Sequence, residues 1–144
     1  MTQIDFYTRV DDKLATACRL AAKAFQQGLR VLVLTPDEET TEKMDRLLWT
    51  VPPTGFIPHC RNASPLAAVT PVIVDHAPEP LPHDEVLINL CPAWPAFFSR
   101  FQRLVEIVSF DEGDSQAARE RYRFYQQRGY AIQHHDLSAL RGRG

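Results

Sequence analysis

The run "LRVLVLT", residues 29–35, constrains the fold more than any other stretch of the chain. Successive side chains of a strand point to opposite faces, and here both sets are aliphatic, so both faces must be covered. That pattern belongs to an inner strand of a parallel sheet with a layer packed on either side. The flanking residues agree. Upstream, "DDKLATACRLAAKAFQQG" reads as an amphipathic helix capped by Asp11 or Asp12, with Leu14, Cys18, Ala21, Ala22 and Phe25 as its apolar stripe and Gly28 as its stop. Downstream, "TPDEETTEKMDRLLW" predicts a second helix with Thr35 at the N-cap, Pro36 at the first helical position and Glu38 completing a capping box.

The rest of the chain extends the alternation. "QIDFYTRV" is rich in β-formers and reads as a first strand. Ten of the eleven prolines lie between Pro52 and Pro95, which leaves little room for helix there. Two strands stand out inside that region, "TPVIVDH" and "DEVLINL". The link between them carries three prolines and is too short for a helical crossover, so they need not be parallel neighbours. A short helix "AFFSRFQ", a strand "LVEIVSF", a helix over 114–128 stopped by Gly129, and a last strand "YAIQHHDL" complete the pattern. Strands alternating with helices predict a three-layer α/β/α domain with a mostly parallel sheet, Rossmann-like in plan, over residues 1–140, with 141–144 as a frayed tail.

Composition excludes some functions. No apolar run approaches the roughly 20 residues a membrane helix needs, and no signal-peptide pattern opens the chain, so the expected compartment is the cytoplasm, with no membrane partner. Cys18, Cys60 and Cys91 are far apart and form no CxxC pair, which predicts free thiols rather than a disulfide frame or a zinc knuckle. The net charge of −2 gives no whole-surface attraction to nucleic acid. Charge is nevertheless segregated: residues 37–45 hold five acids and one lysine, whereas residues 119–128 hold four arginines and one acid.

A search for catalytic chemistry ends without a constellation. In parallel sheets ligands bind beyond the carboxyl ends of the strands, often on a glycine-rich turn at a helix N-terminus. Here those turns read "TRVDD", "TPDEE" and "SFDEGD", and each puts carboxylates where a phosphate would need positive potential. There is no GxGxxG and no GxxxxGK[ST], so nucleotide binding is disfavoured and no cofactor is expected. His59 and Cys60 are adjacent, fall in a loop and have no evident orienting partner. His134 and His135 face opposite sides of a strand and cannot hold one metal together.

The stretch "ARERYRFYQQRGY", residues 118–130, carries four arginines and four aromatics. At helical spacing Arg119, Tyr122, Arg123 and Gln126 are neighbours on one surface, while Arg121 and Arg128 turn inward as candidates for structural salt bridges. Tyrosine flanked by guanidinium groups suits an apolar group beside a carboxylate, since arginine bonds carboxylates in a charge-assisted fork. A solvated amphipathic helix with inward aromatics accounts for the same spacing. A second feature is "LLWTVPPTGFIPH", where Trp49 and Phe56 either mark an interaction surface or pack back as a satellite cluster.

Taken in order, "DFY", "GLRVLVLTPDEE", "DRLLWTVPPTGFIPH", "DEVLINL", "RLVEIVSFDE" and "ARERYRFYQQRGY" resemble the chi-subunit family of bacterial DNA polymerase III, over nearly the whole chain. The resemblance implies an α/β fold akin to nucleotide-binding domains that binds no nucleotide. It also implies an adaptor: an accessory, non-catalytic subunit of a DNA-directed DNA polymerase complex. Such a subunit holds the acidic C-terminal tail of the single-stranded-DNA-binding protein, which ends in phenylalanine. It joins the psi subunit, or a helicase-like substitute, and through psi the clamp loader, touching DNA only indirectly. Carried onto this sequence, the tail site comprises Arg119, Tyr122 and Arg123, with Val108 as an apolar wall and Gln126 beside them. Trp49 and Phe56 match the surface offered to psi or its substitute. Ser115 departs from the pattern, standing where a lysine assists the acidic tail. The competing expectation is a module that binds nucleic acid directly through the arginine helix 114–128.

Overall fold

A computed structural model describes residues 1–50 and 57–138. In chain order the elements are β1 (Gln3–Val10), α1 (Lys13–Gln26), β2 (Val31–Leu34), α2 (Glu38–Thr50), β3 (His59–Cys60), β4 (Val72–Asp75), β5 (Val86–Asn89), β6 (Arg103–Ser109), α3 (Glu112–Gln127) and β7 (Ile132–Asp136). Single 3-10 turns occupy Ala67–Val69 and Phe98–Arg100. The strands form one seven-stranded sheet in the order β3-β4-β2-β5-β6-β1-β7, and every neighbouring pair is parallel.

The layers follow from the handedness of parallel crossovers. A right-handed crossover that moves one way along a sheet lies on one face, and a move the other way lies on the opposite face. The β1-to-β2 and β2-to-β3 connections both run toward the β3 edge, and their helices α1 and α2 share one face. There Ala17, Cys18, Ala21, Met44 and Leu48 pack on Val31, Val33, Val72, Val86, Ile88, Val105 and Ile107. The remaining connections run back toward the β7 edge and cover the other face. On that side Phe98, Phe101, Ala118 and Tyr125 pack on Ile4, Phe6, Leu32, Leu34, Ile73, Leu87, Leu104 and Val108. β2 thus divides its valines and leucines between two cores, which is why it is aliphatic throughout.

Local signals explain most boundaries. Gly28 and Gly129 adopt φ of 79° and 83°, a region closed to most side chains, and end α1 and α3 in the same way. Leu29 N donates to Ala24 O and Gly28 N to Phe25 O; Tyr130 N donates to Tyr125 O and Gly129 N to Gln126 O. The N-cap of α2 differs from the expectation. Asp37, not Thr35, accepts from Thr40 N at 2.7 Å, because its short carboxylate reaches the third helical N–H while Pro36 stays outside the helix. Thr35 is buried and hydrogen-bonds the Thr41 hydroxyl instead. Likewise α3 begins earlier than expected, capped by Asp111.

In the proline-rich middle the relation of the two strands is as expected, and other details are not. β4 and β5 are parallel but not neighbours, since β2 lies between them. "AFFSRFQ" forms only a 3-10 turn: β5 and β6 are adjacent, and a short connection suffices to bury Phe98 and Phe101. His59 and Cys60 form an edge strand rather than a loop. His59 does have orienting partners, Ile57 O at 2.7 Å from Nδ1 and Asp45 Oδ1 at 3.2 Å from Nε2. Phe56 lies outside the described residues.

Candidate partner-binding site

β1 and β6 are adjacent, yet α1 leaves β1 for one face and α3 leaves β6 for the other. A crevice opens beyond the carboxyl ends of two such strands, the usual ligand position in this architecture. Lys13 at the start of α1 reaches across it to Asp114 in the first turn of α3, Nζ to Oδ1 at 2.9 Å. Burial raises the Asp114 carboxyl's pKa, but the Lys13 ammonium and the Ser109 donors outweigh it, and the net position is below the ordinary value. Ser109 contributes both its N–H, at 2.8 Å, and its hydroxyl, at 2.9 Å.

α3 is fixed from beneath by charge as well as by packing. Ala118, Arg121 and Tyr125 lie on its inner stripe and are buried. Glu106, inward on β6 and fully enclosed, accepts from Arg121 Nε at 3.0 Å, the Tyr125 hydroxyl at 2.6 Å and Asn89 Nδ2 at 3.1 Å. Arg121 Nη1 also donates to Pro92 O at 2.8 Å. Burial pushes the Glu106 carboxyl upward, against the pull of Arg121 and of its hydrogen-bond donors. The same burial, with the Glu106 charge beside it, drives the Tyr125 phenol far up, so that hydroxyl remains a donor.

With its inner stripe locked, α3 turns its flank toward β1 and β7 and encloses a cavity of about 450 Å³. Phe6, Thr8, Val108 and His134 come from the sheet; Ser115, Ala118, Arg119, Tyr122, Arg123 and Gln126 line the helix side; Arg9 and Ser109 stand at the strand ends. Tyr122 is 36% exposed and meets buried Phe6 edge to face at 5.3 Å. Among the described residues the lining holds three arginines and no carboxylate. It is therefore a cationic rim over an apolar floor.

The structure brings Val108, Arg119, Tyr122, Arg123 and Gln126 to this one cavity, with Ser115 alongside. It divides the other two arginines of the helix. Arg121 makes the inward ion pair. Arg128 does not turn inward; its guanidinium lies 4.1 Å above the Phe124 ring, whose plane stacks on Trp94 at 3.8 Å. Arg121 being buried and Arg128 engaged on an aromatic, the four arginines do not form one continuous basic strip. Trp49 belongs elsewhere, at the end of α2 on the opposite layer, 59% exposed and edge-on to His59 at 5.1 Å.

Thr8, Arg9 and His134 escaped the sequence reading. Parallel pairing of β1 with β7 sets Phe6 beside His134 and Thr8 beside Asp136, a neighbourhood that spans most of the chain. For His134 alone the alternation carried a partial signal, since it puts His134 and His135 on opposite faces. His134 indeed faces the cavity and lies 2.6 Å from the Thr8 hydroxyl. His135 pairs with Asp5 at 3.1 Å and stacks on Tyr7 on the other side.

Each helix N-terminus is occupied by the chain's own carboxylate. Asp12 accepts from Ala15 N at 3.0 Å, Asp37 from Thr40 N at 2.7 Å and Asp111 from Asp114 N at 2.9 Å. Among the described residues no cluster of three or more histidine, cysteine or acidic side chains is placed to hold a metal, and no helix is long and apolar enough to cross a membrane.

Fold and site together define a parallel α/β domain of Rossmann-like plan, with self-capped helix N-termini and a cationic crevice at the carboxyl end of its sheet. Residues 1–133 match the family described as DNA polymerase III chi subunit, HolC. The DNA polymerase III subunit chi of Pseudomonas aeruginosa is 37% identical over 97% of this chain and the whole of that relative; the Escherichia coli subunit is 29% identical over 90% of each. That of Haemophilus influenzae is 30% identical over 81% of each. The chain belongs to the DNA polymerase III chi subunit family and is an accessory subunit of a replicative polymerase complex.

Proposed function

We propose that this chain is a non-catalytic adaptor whose α3 cavity receives the acidic C-terminal tail of the single-stranded-DNA-binding protein, tying DNA-bound protein to the replisome. The observation that carries the reading is the cavity's composition: arginines at the rim, Phe6 and Val108 in the floor, Tyr122 at the mouth and, among the described residues, no carboxylate. An apolar terminal residue would fill the floor while its carboxylate takes the forks of Arg119 and Arg123, each charge-assisted bond adding about 1.5–3 kcal/mol when shielded. A disordered tail loses entropy on binding, so single-tail affinity is modest, and several tails on one DNA-bound oligomer raise it through effective concentration.

Trp49 is assigned to the second partner, the psi subunit or a helicase-like substitute, through which the clamp loader is reached. Its exposure on the layer opposite the cavity supports an adaptor with two separate faces. The decisive experiment titrates the protein with a peptide copying the host tail. Wild type binds at low salt and Arg119→Ala loses most of the affinity; no binding by wild type overturns the assignment. Direct nucleic-acid binding is the weaker reading, because only Arg119 and Arg123 of the helix share a face. Tight, steeply salt-dependent binding of bare single strands would restore it.

A further inference from the structure

β1 departs from regular pairing at the mouth of the cavity. Tyr7 pairs with Ile107 and Val10 with Ser109, so residues 8 and 9 stand opposite the single residue 108 of β6. Such a bulge inserts one residue and reverses the alternation beyond it. Without it, Thr8 would face α3 and Arg9 would face the α1 layer. With it, Thr8 and Arg9 both line the α3 cavity, and Val10 returns to the core beneath α1.

Arg9 also holds φ at 57°, the one positive value for a non-glycine residue among the described residues. Glycine or asparagine suits that region better than arginine does. The side chain is 63% exposed, and its ion pair is a long one, with Asp136 at 3.8 Å. Its charge is therefore available to a ligand. Arg9 and Ser115 lie at the same end of the cavity, the carboxyl end of the sheet, where α3 offers no cation of its own.

We propose that Arg9 is a specificity-determining residue of the tail site, a strand-borne cation that meets the acidic residues preceding the tail's terminus at the end of the cavity where α3 presents Ser115. The assignment rests on the reading of the cavity as a tail site. Arg119 and Arg123 take the terminal carboxylate, and the tail leaves past the bulge, so Arg9 reads the internal acids instead. An exposed pair of this kind is modest in strength and sensitive to salt.

The test uses the full chain and two peptides, the host tail and the same tail with its internal acidic residues changed to amides. For the acidic peptide at low salt, Arg9→Gln weakens binding about threefold to fivefold and Arg9→Lys restores most of it. For the amidated peptide, Arg9→Gln changes nothing while Arg119→Ala still weakens binding. Unchanged affinity of Arg9→Gln for the acidic peptide, or equal losses for both peptides, overturns the role of Arg9 alone. Failure of wild type to bind either peptide overturns the tail site itself.

Discussion

The Tyr125 hydroxyl donates to Glu106 Oε2 at 2.6 Å across the interface between α3 and the sheet, with both side chains shut away from water. With Arg121, this contact sets the roll of α3 and therefore the direction in which Arg119 and Tyr122 point. A carboxylate enclosed at that depth is tolerable only while its charge is compensated, so the network behaves as a unit.

Removing one partner should expose that dependence. Arg121→Ala leaves Glu106 buried and uncompensated and is expected to cost about 3–5 kcal/mol. Tyr125→Phe removes one donor and should cost about 1–3 kcal/mol. Urea unfolding of the two variants checks the order. A smaller loss for Arg121→Ala than for Tyr125→Phe would mean that Glu106 is not ionised in the folded protein.

The role of Tyr122 separates packing from hydrogen bonding. Its ring meets Phe6 at the cavity floor, so Tyr122→Phe should keep tail-peptide affinity within about twofold, while Tyr122→Ala should lose at least about tenfold, in line with truncating an aromatic anchor. Fluorescence anisotropy with a labelled peptide distinguishes them. Equal losses would move the contribution to the hydroxyl.

The fold was legible where local chemistry decides. β1 coincides with "QIDFYTRV", the aliphatic run of β2 required two covered faces, and Gly28 and Gly129 end their helices with positive φ. On the helix, spacing alone grouped Arg119, Tyr122, Arg123 and Gln126. The sheet side of the cavity was hidden, because β1 lies between β6 and β7, and nothing local announces a strand order that sets Phe6 beside Glu106 and His134. Arg9 was hidden for a second reason. A bulge reverses the alternation that sequence reading assumes, and no glycine marks it. Two smaller errors share a cause: at Thr35 and at Arg128 a plausible partner was inferred from spacing, and a nearer one, Thr41 or Phe124, took the contact.

Acid should weaken the clasp between α1 and α3. The Asp114 carboxyl sits below its unfolded value of about 3.9, so its stabilisation is fully present above roughly pH 4 and disappears as pH falls through the folded value. Asp114→Asn should therefore be less stable than wild type at pH 7, and the difference should shrink as pH falls below about 4. Denaturation midpoints across that range provide the measurement. A constant difference would assign the effect to packing.

The thiols should respond to burial. Burial pushes Cys18 up to about 12, aided by Asp12, and Cys91 up to about 11, with Glu106 as the next cause. At pH 8 their thiolate fractions are then roughly one in ten thousand and one in a thousand, too small for ready alkylation. Iodoacetamide labelling of the native protein, read by peptide mass, should leave both unmodified, and labelling in urea should reach both. Rapid native modification of Cys18 would require α1 to open frequently.

The proposed adaptor role also requires two faces that act independently. Trp49 lies on the α2 layer and the α3 cavity on the other, with the sheet between them, and Trp49 is not among the described residues that line that cavity. Sites separated in this way contribute additively. Trp49→Ala removes an exposed ring, so it should leave the unfolding midpoint nearly unchanged and tail-peptide affinity within about twofold, yet weaken the complex with purified psi or its substitute at least tenfold, as for a central aromatic anchor. Arg119→Ala should do the reverse. If either substitution weakened both interactions while the fold stayed intact, the two partners would share one surface, and this chain could not hold both at once.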